Sequence, residues 1–70
     1  MKTNIILHYV EVVYLKNGQP NGLKFAHYPE EEAERMYQRT INKFKQENRS
    51  ALINLREENH MLLKSEKINF

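Results

Sequence analysis

Three histidines, His8, His27 and His60, are the side chains of this sequence that could shuttle a proton near neutral pH or bind a metal through a neutral imidazole. Neither cysteine nor aspartate is there to join them, and no two histidines stand at helical ligand spacing. If His27 lies opposite Val12 on a β-ribbon, His8 and His27 are four strand positions apart, roughly 13 Å, which is too far to share one ion. His60 sits beside Glu57 and Glu58 and reads as part of a solvated face. Nucleophilic catalysis needs an activated hydroxyl with a base and an orienting group, and Ser50, Ser65, Thr3 and Thr40 have no elbow-like glycine around them. Both glycines, Gly18 and Gly22, belong to a turn-like segment, so none is left for a phosphate-cradling loop. The expectation is a non-catalytic protein with no metal and no cofactor.

Binding chemistry is better represented. Arg35, Arg39 and Lys43 recur every four residues, and Arg49 and Arg56 continue roughly along the same face. Such a stripe could contact phosphates, with neighbouring Tyr or Phe stacking on single-stranded bases. It is interleaved with Gln38, Asn42, Gln46 and Glu57, as an ordinary solvated surface would be, and the net charge of +2 is small for a dedicated nucleic-acid domain. Glu30, Glu31, Glu32 and Glu34 fit the positive end of a helix dipole without any partner.

The elements that must position these groups follow from periodicity. The run from Thr3 to Leu15 is rich in β-branched, aromatic and aliphatic residues and reads as a strand, about 3–15. Asn17-Gly18-Gln19-Pro20-Asn21-Gly22 contains Asn-Gly twice and predicts a hairpin, with a return strand at about 23–28 closed by Pro29. Pairing Lys16 with Leu23 would place Tyr14 opposite Phe25, Val12 opposite His27 and Glu11 opposite Tyr28. Between Pro29 and Glu66 there is no Gly or further Pro, and Ile41, Asn48, Leu55 and Leu62 recur at spacing seven. This stretch, about 30–66, is expected to form one long helix or two short ones, with Met36, Tyr37, Ile41 and Phe44 packing on the ribbon. Asn48 would set register in a coiled coil. A break at Gln46-Glu47-Asn48-Arg49-Ser50, with Ser50 capping a second helix, is the alternative.

The expected fold class is therefore α+β in one small domain of 70 residues. Residues 1–28 form the hairpin, 29–66 the helical part and 67–70 a tail. A chain this short without a disulfide gains most from assembly. The return strand would leave Thr3 to Val10 without a partner, and an open apolar edge invites a second chain. A homodimer, or a foreign partner, is expected through Ile6, His8 and Val10 on that edge and through Asn48, Leu52, Leu55, Leu62 and Leu63 on the helices. His8 and Glu11 interrupt the N-terminal apolar run before a signal-peptide core is complete, and no membrane-spanning run occurs, so a cytoplasmic protein is expected. The function this favours is a protein-binding adaptor or inhibitor, in the style of a phage or mobile-element accessory protein such as an antitoxin. A small nucleic-acid-binding regulator using Arg35, Arg39, Lys43 and Arg49 is the competing reading.

Overall fold

A computed structural model describes residues 6–16, 19–24 and 26–69. Its elements are β1 (His8–Lys16), β2 (Gln19–Lys24), α1 (Glu30–Gln46), β3 (Ala51–Glu57) and β4 (Leu62–Ile68). The strands form one antiparallel sheet in the order β2-β1-β3-β4. The helix lies across one face, against β1, β3 and β4. The α+β class and the N-terminal hairpin hold, whereas the second half of the chain is a second hairpin.

The first hairpin is tighter than its sequence reading. Lys16 pairs with Gln19, Tyr14 with Asn21, Val12 with Leu23 and Glu11 with Lys24. Only residues 17 and 18, outside the described residues, separate the strands, and the second Asn-Gly, Asn21-Gly22, falls inside β2. Tyr28 does not meet Glu11; beyond β2 the chain returns to make an isolated bridge to His8, with both backbone hydrogen bonds at 2.8 Å. The expected strand start at Thr3 and the partner position Phe25 lie outside the described residues.

Helix α1 begins behind Pro29, whose carbonyl accepts from Ala33 at 2.9 Å. Glu30, Glu31 and Glu32 occupy the first turn and Lys43 and Lys45 the last, each sign at the dipole end that favours it. Ala33, Tyr37, Thr40, Ile41 and Phe44 form the buried face, and Met36 packs partly against it. The helix stops at Asn48, which adopts the left-handed conformation (φ 54°). The Asn48 N–H donates to the Lys45 carbonyl and the Arg49 N–H to the Phe44 carbonyl, together a complete Schellman cap. Asn48 is thus the stop signal, and it sets no coiled-coil register. The break falls within the expected 46–50 segment, but a strand follows it.

That strand is β3, and it corrects the helical assignment of residues 50–66. Ala51, Ile53 and Leu55 are buried beneath the helix and alternate with Leu52, Asn54 and Arg56, a period of two that the heptad spacing of Leu55 and Leu62 had masked. Hydrogen-bond ladders on both sides hold β3 and override the helix propensity of its Leu, Arg and Glu. The connection to β4 turns through Glu58, Asn59 and His60. The His60 N–H donates to the Glu57 carbonyl, His60 is left-handed (φ 73°), and the Asn59 side chain accepts from Met61 N. Three-residue hairpin loops are built this way. A bulge follows: Leu55 pairs with Lys64 but Arg56 with Leu62, leaving Leu63 extra. Lys67 and Ile68, expected in a tail, complete β4.

The core joins Val10, Val12, Ala33, Tyr37, Ile41, Phe44, Ala51, Ile53, Leu55 and Ile68. Val10, Val12 and Ile53 are fully buried, each contributing roughly 1.5–3 kcal/mol on transfer from water. Strand β1 pairs with β3 from His8 to Val13 and with β2 from Glu11 to Lys16, so it is interior; the sheet edges are β2 and β4. No helix among the described residues is long and apolar enough to cross a membrane.

Candidate functional site

The helical spacing of Arg35, Arg39 and Lys43 places them one above the other, about 6 Å apart, along the flank of α1 that meets Tyr14 and Tyr28, with Arg35 also lining a cleft toward β4. Below that flank are two open depressions. One, of about 450 Å³, is lined by Tyr14, Met36, Arg39, Thr40, Lys43, Phe44 and Arg49. The other, of about 260 Å³, is lined by Tyr28, Glu32, Arg35, Met36 and Arg39, so the two share Met36 and Arg39 and form one groove. The Schellman cap aims Arg49 back over this groove. Its guanidinium lies 4.7 Å from the centre of the Phe44 ring and 5.3 Å from that of Tyr14, and it donates to the Tyr14 hydroxyl at 3.2 Å. A hydrogen bond to Glu47, then the nearby Tyr14, raises the Arg49 pKa above its ordinary value, so this cation stays charged. All four residues of the basic set named from sequence meet here, and aromatic rings lie between them.

Charge is distributed unequally around the helix. On the β4 side the cations are neutralised, Lys64 by Glu34 at 2.6 Å and Lys45 by Glu66 at 3.1 Å. Arg56 lies on the opposite sheet face and pairs with Glu11 at 3.1 Å, so it does not continue the stripe. Among the described residues Arg35, Arg39 and Lys43 make no ion pair within 4 Å. Glu32 is the carboxylate lining the groove, at the Arg35 end.

Two further clusters escaped the sequence reading. On the sheet face away from the helix, Ser65 donates to Asn54, and Asn54 and Arg56 both donate to one Glu11 oxygen, a relay across three strands at 2.7, 2.9 and 3.1 Å. Asn54 is buried and needs those partners. Beside it the Tyr9 hydroxyl meets His60 Nδ1 at 2.9 Å, with His27 and His60 edge-on to the Tyr9 ring. This network satisfies buried polar groups on the solvent face; only the alternation of Asn54 and Arg56 with Ile53 and Leu55 could have signalled it. The second cluster is a cleft of about 820 Å³ lined by His8, Leu55, Leu63, Glu30, Glu31, Glu34, Arg35 and Lys64. Acids and bases are mixed there, which gives it no net preference for anions. No group of three His, Cys, Asp or Glu side chains among the described residues could hold a metal ion.

The residues expected at a protein interface do not form one surface. Val10 is core and His8 is buried, because β3 occupies the edge they were expected to offer, and Leu55, expected on a helix, is a core residue of β3. Asn48 caps the helix and Leu52 pairs with Val13 inside the sheet. Ile6, Leu62 and Leu63 are exposed, and with Met61 they are the exposed large hydrophobic residues among the described residues, 42–55% accessible. No protein-family model, curated protein or solved structure matches this chain.

Proposed function

We propose that this is a non-catalytic binding protein that holds single-stranded nucleic acid along the groove between α1 and β1. The observation that carries the reading is the gathering around Tyr14, Tyr28 and Phe44 of Arg35, Arg39 and Lys43, which make no ion pair within 4 Å among the described residues, and of Arg49, which is paired with Glu47. Phosphates run along the helix flank, and the half-buried tyrosines offer ring surface to bases. The sites are few, so binding is weak and its salt slope shallow.

Anisotropy titration of a labelled short single strand tests this. Expected are a Kd on the order of 10–100 µM at low salt and a log–log salt slope near about −2, since three phosphate contacts at about 0.7 each set it. The triple change R35Q/R39Q/K43Q abolishes binding and leaves the fold intact. Binding that survives this change, or no binding at low salt, refutes the proposal; equal affinity for a duplex removes the tyrosines from it.

A protein adaptor is the second reading, and it rests on the exposed Ile6, Met61, Leu62 and Leu63. Self-association also stays a proposal, and with β1 paired on both sides a second copy has to meet an outer strand.

A further inference from the structure

We propose that two copies of this chain pair through the outer edge of β4, antiparallel and about a two-fold axis through Ser65. Strand β4 has a ladder to β3 on one side, and among the described residues no strand pairs with its other side. Its residues 62–67 are solvent-exposed or half-buried, and only Ile68 is buried. Lysines on an edge ordinarily repel pairing, and β4 carries Lys64 and Lys67. Glu66 between them changes that balance in one register.

A two-fold axis normal to the sheet must pass through a residue, because opposed residues share a face. If it passes through Lys64 or Lys67, that lysine faces its own copy, and if through Glu66, two carboxylates meet. Through Ser65, Lys64 of each chain lies opposite Glu66 of the other, twice, and two small hydroxyls meet at the axis. This is the register from 64 to 67 without like charges directly opposed, and such pairs are what stabilise or forbid a ladder. Both groups are already on the helix side of the sheet, bridged to Glu34 and Lys45. Pairing extends each bridge into an alternating row, Glu34 and Lys64 of one copy followed by Glu66 and Lys45 of the other. An isologous contact uses the same patch twice, and β4 is complementary to itself in that sense. The product is a continuous eight-stranded sheet with both helices on one face. The basic groove, on the far flank of α1, stays open in each copy, so the assembly is independent of what the groove binds.

Sedimentation equilibrium over a range of concentrations tests the proposal. The wild type is expected to pass from monomer to dimer in the micromolar range, because the paired stretch is short. K64E alone and E66K alone place like charges opposite in the homodimer and each is expected to be a folded monomer, with circular dichroism unchanged. An equimolar mixture of K64E and E66K chains restores Lys opposite Glu in both pairs and is expected to dimerise again. A wild type that stays monomeric throughout, or a dimer that either single variant leaves intact, overturns the proposal, as does a mixture that fails to associate.

Discussion

Among the described residues the two non-glycine residues with positive φ, Asn48 and His60, stand where the chain leaves α1 and where it turns from β3 into β4. A side chain in the left-handed region costs about 1–2 kcal/mol unless it is Gly or a short polar residue. Asn48→Val should therefore lower stability by about 1–2 kcal/mol, a fall in Tm of roughly 4–8 °C for each. Asn48→Gly should leave it equal or higher, and urea denaturation of both reads the difference. His60 is less free to change because its ring also meets Tyr9. Tyr37 gives a second residue-level expectation. Burial first, then the carboxylates of Glu66 and Glu34, raises its phenol pKa above the ordinary 10.0. Above that pH the unfolded chain loses the proton before the folded one does. The stabilisation is complete below about pH 10 and falls as pH rises through the folded pKa. Tyr37→Phe should flatten that alkaline fall relative to wild type, and parallel curves for the two proteins would contradict the assignment.

At the level of elements, the sequence exposes what is locally encoded and hides what depends on pairing. Strand β1 and helix α1 were legible because nine strand-forming residues and an acidic, Pro-led helix start stand close together. The second hairpin was not, because Glu58-Asn59-His60 turns without Gly or Pro, and Leu55 and Leu62 belong to a heptad and to two strands alike. Amide exchange separates the two descriptions. Edge strand β4 should show alternate slow and fast amides from Leu62 to Ile68 in dilute solution, while Leu52 to Leu55 in β3 exchange as slowly as Val10 and Val12. Uniform protection from residue 51 to 66 would instead be a helix. The same confusion explains the misplaced interface: a helix over residues 50–66 would leave β1 without the strand that covers it. The basic set was legible in sequence, since i, i+4 spacing survives any tertiary arrangement. Its aromatic floor was not, because Tyr14 and Tyr28 reach it only through the sheet.

For the whole molecule, a helix laid across a four-stranded sheet has two unlike flanks. Toward β4, lysines and glutamates cancel in pairs that suit a second copy of the same strand. Toward β1, three cations stand without carboxylate partners within 4 Å among the described residues, above a groove with aromatic walls. Polarity of this kind separates a binding flank from an assembly flank, so binding and assembly should respond to different substitutions. The most direct test of the central claim is an amide chemical-shift titration of the isotope-labelled protein with a single-stranded oligonucleotide at low salt. Shifts concentrated at Tyr14, Tyr28, residues 35–43 and Arg49, reversed by added salt, are the expected result. Shifts centred on Ile6 and residues 61–63, or none at saturating oligonucleotide, would contradict it.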